Sequence, residues 1–136
     1  MHGATVKVYS LAKDGDKKIT DHFRVREFKC SDGSDTIFIS QALVEILEDI
    51  RCHFGKPITI NSGYRTDFHN NKTKNAAKYS QHKYGLAADI SSKYVRPSQI
   101  AAYAETLLPN TGGIGLYIKD GFVHIDVRTT RARWNG

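Results

Sequence analysis

The clearest periodicity in the chain lies between residues 40 and 54, where Leu43, Ile46, Leu47, Ile50 and Phe54 recur at helical spacing. This predicts a helix with one apolar stripe, Ser40 as its N-cap and Gly55 at its stop. A second helix is predicted from Pro97 to Leu108, with Ile100, Ala101, Ala104, Leu107 and Leu108 on one side and Pro109-Asn110-Thr111-Gly112-Gly113 ending it. Val6, Val8 and Tyr9 have strand character, and Asp14-Gly15-Asp16 supplies turn chemistry before Lys17 to Thr20. Residues 4–20 are therefore predicted to form a polar hairpin appended at an edge. Pro57-Ile58-Thr59-Ile60 reads as a short strand and Leu86 to Ile90 as a short apolar segment. Ile114 to Ile118 and Phe122 to Val127 read as two strands of a hairpin around Lys119-Asp120-Gly121. Residues 66–81, rich in Asn, Lys and Thr, predict a long polar loop, either a flexible surface or the wall of a site. Helices interleaved with short strands and hairpins, without a repeat, indicate an α+β domain with a mainly antiparallel sheet.

Composition narrows the class. A chain of 136 residues with 40% hydrophobic and 25% charged residues has the profile of one soluble domain, which excludes disorder, collagen and coiled coil. It is long enough to build a core without disulfide staples. Cys30 and Cys52 have no near neighbour of their own kind, so neither belongs to a C-x-x-C pair, and a disulfide between them stays open. The excess of 20 Lys+Arg over 14 Asp+Glu favours an anionic partner without distinguishing nucleic acid from an anionic cell envelope. Met1 to Val6 lacks the apolar core of a signal peptide, and no window approaches the roughly 18 apolar residues of a membrane span. Synthesis in the cytoplasm is expected, with release by something other than an N-terminal signal if the protein works outside the cell.

Candidate chemistry gathers in the second half. In the last predicted strand Val123, Ile125 and Val127 point to one face while His124, Asp126 and Arg128 point to the other, which by itself is as compatible with a solvated sheet surface as with a site. Upstream, His82 and Asp89 stand six residues apart in SQHKYGLAADI, and both are good zinc ligands. Gly85 permits a tight turn between them, and Ala87 and Ala88 allow close backbone approach. His124 is the candidate third ligand. Three protein ligands with an open fourth position is the arrangement of a catalytic zinc.

Four ordered motifs carry a resemblance to a known family: S-G-Y-R at Ser62 to Arg65, S-x-H-x-x-G-x-A-x-D from Ser80 to Asp89, G-G-I-G-L-Y at Gly112 to Tyr117, and F-V-H-I-D-V-R at Phe122 to Arg128. Together they resemble the D-Ala-D-Ala metallopeptidases, peptidase family M15, and most of all the small cell-wall hydrolases and phage endolysins of Gram-positive bacteria. The resemblance runs from about Phe23 to Trp134, within a single domain over residues 1–136. It implies the α+β fold shared with the hedgehog signalling domain, with a zinc ion on the face of a small, mainly antiparallel sheet packed by helices. It also implies His82, Asp89 and His124 as ligands of one Zn2+, and Arg65 as a group near the substrate and the developing oxyanion. A structural salt bridge from Arg65, to Asp126 for example, is the competing role. Ser80 matches a serine that contacts substrate or orients the loop before His82. Tyr117 and Tyr64 are candidates to line the cleft, with packing as the alternative.

Departures from the family pattern bear on the general base. Some relatives carry an acidic residue three positions before the last zinc-binding His, and others a His two positions before it; here those places hold Gly121 and Phe122. Asp126 and Asp120 are the carboxylates left, and Asp126 is preferred because it shares the ligand face. Orientation of an imidazole or of Arg65 is its alternative role. Asn75-Ala76-Ala77 replaces the Gly-Gly-Ala frequent in relatives, which bears on substrate preference. His2, His22, His53 and His69 are read as surface or capping residues, and Arg128, Arg131 and Arg133 as a solvated basic end packed by Trp134 rather than a nucleic-acid tail.

The expected function is hydrolysis of peptide bonds in peptidoglycan stem peptides or cross-bridges by a monomeric zinc peptidase, of carboxypeptidase or endopeptidase type. No nucleic-acid partner and no membrane span are expected, and release as a phage or prophage lysis protein would account for the missing signal. A catalytically inactive, zinc-containing cell-wall-binding module is the alternative, and a basic nucleic-acid-binding domain is a third reading.

Overall fold

The computed structural model describes residues 5–72 and 80–136. The predicted helix is present as α2 (Gln41–Phe54), counting a four-residue α1 (Leu11–Asp14) before it. Ser40 Oγ accepts the Leu43 N–H at 3.3 Å, and Gly55, with φ 64°, ends the helix by donating to the Arg51 carbonyl. Leu43, Val44, Leu47 and Ile50 form its buried face. The second helix, α4 (Pro97–Leu107), buries Ile100 and Ala104. Between them, a short α3 (Asp67–Lys72) and a 3-10 turn at Gln81–Tyr84 occupy part of the segment expected to be loop.

α4 packs on one face of a five-stranded sheet of order β5 (Thr59–Ser62), β6 (Ala87–Ser91), β8 (Phe122–Asp126), β7 (Gly113–Tyr117) and β9 (Ala132–Asn135), and α2 packs against α4 and shares its core. Neighbours are antiparallel except β7 and β9, which run parallel. Ala88, Ile90, Ile114, Val123 and Ile125 project into the core that α2 and α4 cover. Alternation along each strand leaves the other face free for polar groups. The protein is thus α+β, and the β7–β8 hairpin closes through the expected turn, with the Gly121 N–H bonded to the Tyr117 carbonyl at 2.8 Å.

The N-terminal hairpin is not formed. β1 (Val6–Ser10) pairs antiparallel with β4 (Thr36–Ser40), and β2 (Lys18–Thr20) pairs with β3 (Phe23–Arg24), so the two strands expected to pair with each other pair elsewhere. Local turn chemistry at Asp14-Gly15-Asp16 is spent on ending α1, while Ile37 and Ile39 of β4 bury one face and offer β1 an edge. Cys30 is buried and Cys52 exposed, and neither is in a disulfide.

Gly85 joins this edge to the turn at Gln81–Tyr84. It adopts φ 73°, and its carbonyl accepts the Ser40 N–H at 2.9 Å. A Cβ placed there would lie 2.4 Å from the Phe38 carbonyl oxygen, so the turn and β4 approach backbone to backbone. Gly33, at φ 83°, has open space at the same position. Both Gly→Ala changes incur the left-handed strain of about 1–2 kcal/mol, but only Gly85→Ala must also displace β4. Urea denaturation is expected to give the larger loss of stability for Gly85→Ala, and equal losses would show that the contact is not tight.

Candidate metal centre

Strand register builds the site. Asp89 of β6 stands opposite His124 of β8, His124 opposite Gly115 of β7, and Gly115 opposite Trp134 of β9, so these residues form one row across the sheet face away from the core. His82 enters from the turn at Gln81–Tyr84. Ser80 Oγ caps that turn by accepting the His82 N–H at 3.3 Å, and the His82 carbonyl accepts the Arg65 N–H at 3.0 Å. The turn is thereby tied to the segment after β5.

His82, Asp89 and His124 converge, each at least nine-tenths buried. Asp89 Oδ1 lies 3.3 Å from His82 Nε2 and 3.0 Å from His124 Nδ1. The remaining nitrogen of each ring is held by an acceptor: His82 Nδ1 is 2.7 Å from the Gly63 carbonyl oxygen, and His124 Nε2 is 2.8 Å from Asp126 Oδ2. When those outer nitrogens carry the proton, His82 presents the lone pair of Nε2 and His124 that of Nδ1 to a common point beside Asp89. Two imidazoles and a carboxylate with their other faces anchored are a donor set that can hold a metal ion. Without one, burial opposes the charge on Asp89, but hydrogen bonds from the two histidines outweigh it and hold its pKa well below the usual carboxylate range. Burial likewise pulls the His124 pKa down, and the bonds to Asp126 and Asp89 reverse this and raise it.

Asp126, on the same face, is fully buried and saturated. Its Oδ1 accepts from the Gly113 N–H at 2.9 Å, the Arg128 N–H at 3.1 Å and Arg128 Nε at 2.8 Å; its Oδ2 accepts from Arg128 Nη2 at 2.6 Å and from His124 at 2.8 Å. A side chain at position 113 would occupy the carboxylate's place, since a Cβ there falls 2.2 Å from Oδ2. Burial raises the Asp126 pKa, and the bonds from His124 and Arg128 lower it further than burial raises it, so the group stays ionised. Asp120, the other carboxylate weighed as a base, is exposed in the hairpin turn beyond the Tyr117–Phe122 ring stack.

Arg65 faces Asp89 rather than Asp126, with Nη2 3.6 Å from Asp89 Oδ2 and Nη1 3.3 Å from Asn70 Oδ1. Burial lowers its pKa, and the Asp89 charge offsets part of that. The Tyr117 hydroxyl accepts the Trp134 indole N–H at 2.8 Å, and its ring stacks on Phe122 at 4.4 Å. Tyr64 instead packs against Phe38, with ring centroids 5.1 Å apart. Asn75-Ala76-Ala77 lies outside the described residues.

Three contributors escaped sequence reasoning. Trp134 lies 5.1 Å from the His124 ring and covers Gly115, Arg128 clamps Asp126, and the Gly63 carbonyl fixes His82. Of the C-terminal arginines Arg131 is exposed, whereas Arg133 is half-buried. Arg133 Nε binds Glu105 of α4 at 2.7 Å and also donates to the Gly112 carbonyl at 2.6 Å, while Arg131 reaches Glu105 at 3.4 Å. The available signal was the alternation in Ala132-Arg133-Trp134, which marks a strand with Trp134 on one side and Arg133 on the other. His53 stacks on Tyr103 of α4 at 3.7 Å.

Comparison with known proteins agrees with this geometry. A family model described as Peptidase M15 matches residues 21–126, which span Arg65 and all three candidate ligands. The chain is 35% identical over 80 residues to proteins named peptidoglycan L,D-endopeptidase MepK in Escherichia coli (strain K12), Escherichia coli O157:H7 and Shigella flexneri, covering 56% of this chain. It spans less than half of those relatives, 43% of their length. No solved structure gives a significant match. With the matched segment taking in most of the chain and all three candidate ligands, the protein belongs to the Peptidase M15 family.

Proposed function

We propose that this protein is a zinc-dependent peptidase that hydrolyses peptide bonds of peptidoglycan, with His82, Asp89 and His124 holding one zinc ion on the sheet face of a fold of the hedgehog and D-Ala-D-Ala-peptidase type. The observation that carries the reading is the buried convergence of these three side chains with the outer nitrogen of each imidazole already anchored. Zinc at this position would supply Lewis-acid polarisation of a carbonyl and a water of lowered pKa. The relatives' name as peptidoglycan endopeptidases supports the substrate class, and the net charge of +6 suits attraction to an anionic wall. No helix among the described residues is long and apolar enough to cross a membrane. Action on the bacterial wall, with release as a lysis protein, is part of the same reading.

The chain's own residues divide the work. Arg65, half-buried beside Asp89, offers N–H donors to the acyl oxygen as negative charge develops on it. Tyr117 and Trp134 wall the cleft on the β9 side and orient the peptide, while Ser80 holds the turn that carries His82. Asp126 positions His124: five donors occupy its oxygens and leave no lone pair for a reacting proton. Of the two carboxylates considered as general base, this leaves Asp120, exposed in the hairpin turn. That same saturation of Asp126 is the one observation favouring the second reading, a wall-binding module that holds the metal without cleaving.

Purified protein incubated with purified cell walls is expected to release new peptide termini, identified by mass spectrometry, which also names the bond cut. Chelation and His124→Ala should each abolish release; full activity in metal-free protein would overturn the mechanism, and binding without release would establish the module. For Asp126→Asn, zinc affinity is expected to fall about 10–100-fold, with cleavage recovered at saturating zinc. Unchanged affinity with cleavage lost at saturating zinc would instead make Asp126 the base. Because the ion takes a neutral His124 whose pKa is raised in the metal-free protein, affinity should weaken as pH falls through that pKa and binding there should release a proton. Calorimetry in buffers of different ionisation enthalpy measures that proton.

A further inference from the structure

A second group of ligand-type side chains lies outside the site built on His82, Asp89 and His124. His22, in the turn between β2 and β3, meets Glu48 and Cys52, which stand one helical turn apart on α2. One ligand atom from each residue lies within 4.8 Å of the other two. By sequence His22 reads as a surface or capping residue, since nothing in the linear chain brings it to positions 48 and 52.

Two elements hold the donors in place. Glu48 Oε1 accepts the His22 backbone N–H at 2.9 Å, which pins the turn to the helix. Glu48 Oε2 contacts His22 Nδ1 and accepts the Cys52 thiol at 3.2 Å. The i, i+4 spacing places Glu48 and Cys52 on one helix face. The His22 side chain is 40% exposed and that of Glu48 16%, so the group opens to solvent on its outer side. Its nitrogen, oxygen and sulfur donors suit a borderline-soft divalent ion, whereas calcium and magnesium prefer oxygen alone.

We propose that His22, Glu48 and Cys52 form a second metal site, which takes one zinc-type transition-metal ion and leaves its outward position to solvent. On binding, Cys52 enters as thiolate and its proton passes to solvent, while His22 keeps its N–H on the outward Nε2. The ion ties the β2–β3 turn to α2 and stabilises the folded chain by mass action. None of the three residues belongs to the His82–Asp89–His124 group, which contains no sulfur, so the two sites are separable by spectroscopy.

Titration of the metal-free 136-residue chain with Co2+ is the test. A thiolate-to-cobalt charge-transfer band is expected, saturating at about one ion per chain, whether or not the other site fills. Cys52→Ser should abolish the band and His22→Ala should remove most of it, with far-ultraviolet circular dichroism and wall cleavage unchanged in both. A raised melting temperature on zinc addition should persist in His124→Ala and disappear in the double variant His22→Ala/His124→Ala. Absence of the band in the parent chain, or a band of undiminished strength in His22→Ala, would overturn the proposal.

Discussion

The antiparallel pairing of β6 with β8 sets Asp89 directly opposite His124, and the architecture of the site follows from it. Cross-strand neighbours on one face stand about 4.5–5.5 Å apart at Cβ, which is why a carboxylate and an imidazole can share a focus. A slip of either strand by one residue would turn its own polar residue, Asp89 or His124, into the core and its isoleucine, Ile90 or Ile125, out of it. The register is therefore defended by burial of the apolar face, where Ala88, Ile90, Val123 and Ile125 are almost wholly enclosed. The core beneath the sheet and the chemistry above it are set by the same alternation.

Burying this much charge would be costly if the groups were unpaired. Here each buried group has its partner: Asp89 lies between two histidines, His124 between two aspartates, and Asp126 in a cage of donors closed by Arg128. The cage needs Gly113 on the neighbouring strand, because any side chain would take the carboxylate's space. Arg128 in turn lies 5.4 Å from the Trp134 ring centroid, within range of a cation–π contact, so the last strand stabilises the site from its far edge.

Much of the framework was legible. α2 was readable because apolar spacing, an N-cap serine and a stop glycine all agree, and the β7–β8 hairpin because its turn residues lie between two alternating runs. His82, Asp89 and His124 could be singled out as candidates from spacing and motif context, and the structure brings them together because Asp89 and His124 lie on neighbouring strands and His82 in the turn before the first of them. The pairing of β1 with β4 was not, since a strong local turn signal at Asp14-Gly15-Asp16 competed with an edge some 20 residues further along the chain. The parallel docking of β9 on β7 likewise depends on a non-local contact that no local pattern announces.

By itself the sequence determined the residue types able to bind a metal, the strands that carry two of them, and the face each strand presents, because these follow from local geometry of period two. Tertiary structure alone decided what each polar group contacts. Asp126 could be read from its strand face as a proton acceptor, yet Gly113, Arg128 and His124 leave it no open lone pair. Arg65 could have paired with either aspartate, and the position of the turn at His82 directs it to Asp89. A side chain's chemistry is intrinsic, but its role depends on which donors fill its hydrogen-bonding sites, and those donors come from strands far apart in the chain.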